Sequence, residues 1–388
     1  MKKTEKEAKI FIASDVHYFA PSLTDFRESY FQQVMSVDAK MTENSPRIFS
    51  AFLEEVTQQT PDALILTGDL TFNGERVSLE EMMQELLPVR QRGISVFVLP
   101  GNHDIASSKA FCYKGDSVYP AEAVSQKKFR ELCAAFGPER AIASDEHSFS
   151  YLAEVSPGLF LLALDGNTED SPGSVKRETL AWADAQLAAV KRQGGTIFSA
   201  SHQSVLPQHI GIGEYFCLKN HREVRDLLQK HQVRVNLSGH IHMQHTAQEA
   251  GLRDIATGGL TVGAQRFGVL TTAREENKEG KMLRYAPFSV QYGLKEALDR
   301  FNRQTEKQVR RTLAELELAG SGFGESDRKQ MIEFAVGMNE RYFSGNVDPT
   351  WLAQNRQGFS LWQTAGKGTF WQQYFQSIAA ETDRAEKE

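Results

Sequence analysis

Five strand-like apolar runs each stop at an Asp, Asn or His, and that repeated ending limits the folds open to this chain. Ile10-Phe-Ile-Ala-Ser14 closes on Asp15-Val-His17. Ala63-Leu-Ile-Leu-Thr67 closes on Gly68-Asp69, and Val96-Phe-Val-Leu-Pro100 on Gly101-Asn102-His103-Asp104. Thr196-Ile-Phe-Ser-Ala-Ser201 meets His202, and Val233-Arg-Val-Asn-Leu-Ser238 meets Gly239-His240-Ile-His242. Side chains placed at the carboxyl ends of such strands converge at one edge of a sheet, where open α/β sheets put their sites.

Between these runs the pattern switches to helical spacing. Pro46 to Gln59 puts Ile48, Phe49, Phe52, Leu53 and Val56 on one face,. Ser78-Leu-Glu-Glu81 reads as a capping box opening the next helix, which ends near Gly93,. Further helices are expected over Ser125 to Phe136, Arg177 to Arg192 and His221 to Lys230. Strand-helix alternation of this kind argues for a mixed or parallel sheet sandwiched by helices. Leu159 to Asp165 adds an apolar strand. The runs Phe267 to Thr272 and Met282 to Tyr285 read as antiparallel strands finishing a second sheet.

After Pro287 the character becomes helical, over Gly293 to Leu318, Asp327 to Tyr342 and Thr369 to Ala380. The expected division is therefore residues 1–287 for the α/β part and 288–388 for a small all-α appendage. Trp351, Trp362 and Trp371 lie in the appendage, where they fill a helical core, dock it on the first domain, or wall a pocket.

The bulk numbers narrow the partners. With 388 residues and 40% hydrophobic content the chain can bury a large core without disulfides,. Its three cysteines, Cys112, Cys133 and Cys217, are dispersed, which argues for a reduced setting and against a Cys-based metal site,. The net charge is −6 with no basic block beyond Lys2-Lys3, so nucleic acid is a poor bulk partner, while a small anionic substrate is allowed,. No apolar stretch approaches the ~20 residues of a membrane span. The N-terminus carries charges but no apolar signal core, so the expectation is a cytoplasmic protein,.

Spacing then points to chemistry. In an extended continuation, residues i and i+2 share a side, so Asp15/His17 and His240/His242 each present two ligands to one place. Glycines 68, 101 and 239 suit close approach of backbone and ligands,. Carboxylate, imidazole and amide oxygen together suit Mn, Fe, Zn or Ni. Two such ions against Asp15 and Asp69 leave a charge of about +2, which suits a phosphate anion.

The order Asp-x-His, Gly-Asp, Gly-Asn-His-Asp, His, Gly-His-x-His resembles the calcineurin-like metallophosphoesterase family over residues 10 to about 245. The resemblance implies a four-layer α/β/β/α sandwich with two mixed sheets. It implies one metal held by Asp15, His17, Asp69 and His242, and a second by Asp69, Asn102, His202 and His240, with Asp69 bridging. It also implies that His103 stabilises the transition state or protonates the leaving oxygen. Asp104 is the expected partner that orients the His103 ring; the alternative is a carboxylate capping its own turn. The expected reaction is in-line attack on phosphorus by hydroxide held on the metals, with no covalent enzyme intermediate.

Gly68-Asp-Leu-Thr-Phe-Asn-Gly-Glu75 resembles the subgroup that includes bacterial cyclic-nucleotide phosphodiesterases, and the appendage resembles the cap of Gram-positive members. Asn73 and Glu75 would lie near the bridging ligand, or cap their loop. Around His202 the chain reads Ser-His-Gln where some relatives carry a His-His pair. A small or cyclic nucleotide diester is the expected substrate. Alternatives are another small-molecule phosphoester, a nuclease substrate, and a non-enzymatic interaction module. Residues 18 to 45, with Arg27, Asp38 and Lys40, are expected to form pocket rim. His209 and His245 are candidates to touch substrate or to sit in the core, and His147, His221 and His231 read as surface residues. The oligomeric state is left open.

Overall fold

The computed structural model describes residues 7–25, 38–274, 281–320 and 322–385. The charged N-terminal start through Lys6, including Lys2-Lys3, and Arg27 lie outside the described residues. The chain runs β1 (Lys9–Ala13), α1 (Ser45–Gln59), β2 (Ala63–Leu66), α2 (Arg76–Gln91), β3 (Ser95–Val98) and α3 (Gln126–Cys133). It continues through β4 (Ala143–Ser144), β5 (Tyr151–Ser156), β6 (Leu159–Leu164), α4 (Arg177–Arg192), β7 (Thr196–Ser201), α5 (His221–Lys230) and β8 (Val235–Ser238). Then come β9 (His245–Glu249), β10 (Leu252–Ala256), β11 (Arg266–Arg274) and β12 (Lys281–Ser289).

Two mixed sheets lie between helices. One has the order β12-β11-β1-β2-β3, with β1, β2 and β3 parallel and β11 antiparallel to β1. The other has the order β9-β10-β8-β7-β6-β5-β4. Strand β6 shows how one run serves two layers. Leu159, Leu161 and Ala163 enter the core shared with the first sheet, while Phe160, Leu162 and Leu164 pack with Leu187 and Val190 of α4 and Val224 and Leu228 of α5. That period of two is the pleat of a strand buried on both faces. On the other side, Ile48, Phe49, Phe52 and Val56 of α1 and Leu79, Met82 and Leu86 of α2 cover the first sheet.

Two local expectations differ from the structure. The pair β11–β12 joins the first sheet, beside β1, through the register Lys9↔Thr271 to Ile12↔Gly268; an antiparallel hairpin carries no sequence mark of the edge it joins. Helix α2 starts at Arg76, with Glu75 as its cap, so Ser78 is already helical. Its hydroxyl instead accepts the backbone amide of Ala20 at 3.0 Å. Ser125 does cap α3, accepting from the Lys128 amide at 3.1 Å.

Beyond Ser289 the described chain is helical: α6 (Leu294–Leu318), α7 (Glu325–Phe343), α8 (Pro349–Gln354), α9 (Arg356–Thr364) and α10 (Phe370–Ala385). Val309, Met331, Phe334, Met338, Trp362, Trp371 and Phe375 form their core, and Ile241 and Met243 belong to the same cluster. The helices therefore pack against the two residues that flank His242. Trp362 and Trp371 are buried there, and Trp351 stacks on Phe334 beneath the Arg341 guanidinium. No helix among the described residues is long and apolar enough to cross a membrane.

Candidate metal centre

The loops that follow β1 and β2 run side by side. Asp15 N donates to Gly68 O at 3.1 Å, His17 N to Asp69 O at 3.0 Å and Tyr18 N to Leu70 O at 2.8 Å. The parallel pairing of the two strands thus continues past their ends and holds Asp15, His17 and Asp69 at one place. The route is not the extended one that i and i+2 spacing suggests. Asp15, His17 and Asp69 have φ of +53°, +46° and +48°, and His240 and His242 have +69° and +56°. Left-handed backbone is disfavoured for residues with a Cβ, though least for Asp, Asn and His. Five such kinks on five candidate ligands turn their side chains inward, and strain of this kind clusters at functional sites.

Two glycines permit the crowding. A Cβ on Gly101 would lie 2.1 Å from Asp69 Oδ1 and 2.2 Å from Asp69 N. One on Gly239 would lie 1.7 Å from the Ser14 hydroxyl and 2.7 Å from Asp15 Oδ2. In return the His240 amide donates to Asp15 Oδ2 at 3.0 Å, and the His103 amide to Asp69 Oδ1 at 2.9 Å.

The ligand atoms form two groups that share one residue. Asp15, His17, Asp69 and His242 offer nitrogen and oxygen atoms within 4.8 Å of one another, and so do Asp69, His202 and His240. His17 Nε2 and His242 Nε2 face each other at 3.1 Å, with Asp15 Oδ1 3.3 Å from His242 Nε2. His202 Nε2 lies 3.2 Å from Asp69 Oδ1 and 3.1 Å from Asn102 Oδ1. Asp15, His17, Asp69 and His202 are buried, His240 and His242 half-buried, and Asn102 exposed at the mouth.

Charge in this cluster calls for a cation. Although burial opposes it, the neighbouring imidazoles of His202, His103 and His17 hold the Asp69 carboxyl well below the usual range. Burial would lower His202, yet Asp69 pushes its imidazole up to about 9. Burial and then Lys40 hold His17 far below its ordinary value, and burial with His202 brings His240 down to about 4. Buried carboxylates beside imidazoles, of which His17 and His240 are held neutral and His202 would give its proton up to a bound cation, are a donor set for divalent transition ions,, so the residues present fit such a group. A second contact aims the His202 ring. His202 Nδ1 donates to Thr67 O at 2.9 Å, which turns Nε2 toward Asp69 and Asn102,.

His103 and Asp104 separate. The His103 Nδ1 donates to Phe72 O at 2.8 Å and Asn73 Oδ1 at 3.0 Å, leaving Nε2 3.9 Å from Asp69 Oδ2. Asp104 does not orient that ring. It is fully buried and accepts the amides of Leu70, Thr71 and Gly101 at 3.0, 2.8 and 2.7 Å, together with the Thr71 hydroxyl at 2.8 Å. Four donors from two loops saturate it, so it clamps the Asp69 loop to the Asn102 loop. The expected contact between Asp104 and the His103 ring is not made; the partners of the ring are Phe72 O and the Asn73 side chain. No spacing rule marks that contact, since it closes across two loops.

Glu75 caps inward: Oε2 accepts the Asn73 amide at 3.0 Å, Oε1 has no hydrogen-bond partner, and burial pushes its carboxyl up to about 7. Lys40 pairs with Asp38 at 2.8 Å beside the site. His209 and His245 sit where the helices join the body. His209 Nε2 meets Ser377 Oγ at 2.7 Å, and His245 Nε2 meets Glu381 Oε1 at 2.7 Å. His147 is exposed, but His221 is buried and His231 pairs with Asp184 at 2.5 Å, so those two are not free surface residues. The Phe216 ring, 6.1 Å from that of His240, was not marked by any motif.

Residues 8–244 match the family model described as calcineurin-like phosphoesterase, and residues 295–385 that described as the C-terminal domain of cyclic nucleotide phosphodiesterase. A Rhodococcus erythropolis protein described as a probable cyclic nucleotide phosphodiesterase is 28% identical over 194 residues, 50% of this chain and 55% of that protein. The chain thus spans about half the length of this curated relative. A dimetal phosphatase from Danio rerio aligns over 73% of this chain and 99% of its own, with 14% identity and a TM-score of 0.51, and so shares the fold. A purple acid phosphatase from yellow lupin (Lupinus luteus) aligns over 73% of this chain and 52% of its own, with 13% identity and a TM-score of 0.47.

Proposed function

This chain belongs to the calcineurin-like phosphoesterase family, and from that premise we propose that it is a two-metal phosphodiesterase acting on a cyclic or other small nucleotide. The observation that carries the reading is the pair of ligand groups meeting at Asp69. One cation would be held by Asp15, His17, Asp69 and His242. The other would be held by Asp69, Asn102, His202 and His240. Two divalent cations bound there would supply Lewis acidity and, against two carboxylates, about two net positive charges to meet a phosphate.

The remaining work falls to side chains. His103 keeps Nδ1–H on Phe72 O and Asn73 Oδ1, so its Nε2 is the atom left to hold a proton for the departing oxygen,. His103 is only partly exposed, at the mouth, where a leaving group can reach it. Thr67 O keeps His202 in the tautomer that presents Nε2, and Asp104 fixes the spacing of Asp69 and Asn102. The match to a cyclic nucleotide phosphodiesterase C-terminal domain and the described activity of the Rhodococcus relative support a nucleotide diester.

Metal analysis of the purified protein with hydrolysis assays tests this. About two equivalents of transition metal are expected, with bis-p-nitrophenyl phosphate cleaved faster than p-nitrophenyl phosphate. Asn102→Ala and His240→Ala should each lose about one equivalent and most turnover. Full metal content and undiminished turnover in either variant would sink the ligand assignment, and preference for the monoester would sink the diesterase reading.

A further inference from the structure

Lys40 stands beside the metal centre, and its surroundings fix it from three sides. Its ammonium meets Asp38 Oδ2 at 2.8 Å, and its amide donates to Asp38 Oδ1 at 3.0 Å. Its backbone pairs antiparallel with Val262, and the next amide, that of Met41, donates to Thr261 O at 2.8 Å. From the helical side, Arg300 of α6 donates to Lys40 O at 2.8 Å and pairs with Glu43.

The turn that Lys40 pairs with touches the candidate ligands directly. Gly259 N donates to His242 O at 3.3 Å, Leu260 N to Ser14 O at 3.0 Å, and the Thr261 hydroxyl to Asp15 O at 3.3 Å. A Cβ on Gly259 would lie 3.4 Å from the Cβ atoms of both Asp15 and His242. One short turn thus joins Lys40 to the ligand group of Asp15, His17, Asp69 and His242.

The charges agree with that placement. After burial, Lys40 is the strongest influence on His17, which it helps hold far below its ordinary value. It outweighs the opposing Asp69, whose Oδ2 is 3.9 Å from His17 Nε2. Burial works against the Asp38 carboxyl, yet Lys40 and, more weakly, His242 hold it below the usual range. The pair therefore lies within electrostatic reach of two ligands of the same group.

A buried charge of this kind needs a reason. The Lys40 side chain is only 12% exposed, and ordering a lysine there gives up rotamer freedom as well as hydration. A buried ion pair rarely repays that cost, since apolar residues of similar volume do as well or better. The neighbourhood is also a poor one for a cation, because it is built to hold cations. An arriving anion removes both objections. An ammonium carries three donors, and Asp38 Oδ2 accepts one of them,.

We propose that Lys40 binds the substrate: its ammonium donates to a non-bridging oxygen of the phosphoester at the ligand group that includes His17. The inference rests on the phosphoesterase reading above. Asp38 keeps the ammonium ordered and balances its charge before the anion arrives.

Lys40→Met and Asp38→Asn, compared in the metal-loaded protein, test the assignment. Methionine keeps an apolar stem and removes the charge. The readouts are metal equivalents, the KM of bis-p-nitrophenyl phosphate, and the inhibition constant of inorganic phosphate against its hydrolysis. Loss of a charge-assisted hydrogen bond to the bound anion predicts that Lys40→Met, at full metal content, weakens phosphate and raises KM by about tenfold each. Asp38→Asn spares the ammonium and should bind phosphate at least as tightly as the wild type. Unchanged phosphate inhibition in Lys40→Met overturns the proposal. Loss of fold or metal from Lys40→Met, or equal weakening in the two variants, also overturns it, because either assigns the pair to holding the site together. A metal-loaded wild type that neither hydrolyses the diester nor binds phosphate by calorimetry overturns instead the phosphoesterase reading on which it rests.

Discussion

Glu75→Gln isolates the energetic cost of one buried carboxyl. Glu75 is 1% exposed, its Oε2 takes one backbone amide, and its Oε1 has no partner. Burial raises the carboxyl from an ordinary 4.5 to about 7. Because the folded value lies above the unfolded one, the stability linked to protonated Glu75 is fully present below pH 4.5 and is lost as pH rises through about 7,. At 1.36 kcal/mol per decade the loss amounts to about 3 kcal/mol. Glutamine keeps the shape and the acceptor oxygen but cannot ionise, so the variant escapes that loss. The assay is urea unfolding of metal-depleted wild type and variant across pH 4.5 to 8.5, so that only the burial of Glu75 is read. The difference in unfolding free energy between the two should move by about 3 kcal/mol in favour of the variant from the acid to the alkaline end. A difference that stays constant with pH would refute the idea that Glu75 is held uncharged by burial.

Two other changes probe how the site is built. Gly101→Ala places a methyl on Asp69 N and Oδ1. Overpacking of that kind costs about 1–3 kcal/mol, and here it also displaces the shared ligand, so metal content should fall below one equivalent with the fold retained by circular dichroism. Wild-type metal stoichiometry in this variant would contradict the close approach. Asp254→Ala removes the acceptor for the Val205 and Leu206 amides at 2.6 and 2.9 Å, Asn236 Nδ2 at 3.0 Å and Ser238 Oγ at 2.9 Å. Buried donors left without an acceptor cost about 1–3 kcal/mol each, so denaturant unfolding should show a loss of at least about 3 kcal/mol. A loss under about 1 kcal/mol would mean that the segment after His202 finds other partners.

The strand endings were legible because buried strands are marked by continuous apolar runs and because ligand residue types are rare at their ends. Asp15, His17, Asp69, Asn102, His202, His240 and His242 could be named from that pattern, and the structure brings them to one place. The contact expected for Asp104 differs from the one found. Adjacent sequence suggested a partner for His103, whereas backbone donors from two loops reach the carboxylate first. Helices α8 and α9 escaped notice because they are short, six and nine residues.

Sequence by itself determined the strand–helix alternation, the helical character after Pro287 and the candidate ligand types, since each depends on local spacing or residue chemistry. Tertiary structure alone decided three things. It set the left-handed backbone at Asp15, His17, Asp69, His240 and His242, which follows from loops packed side by side and has no local signature. It placed β11 and β12 on the first sheet, a choice made by burial against β1 and not by the strands themselves. And it set the helices against Ile241 and Met243, so that an appendage distant in sequence borders the ligand loops. Spacing reports what a segment can become; which loop lies against which is settled only when the whole core excludes water.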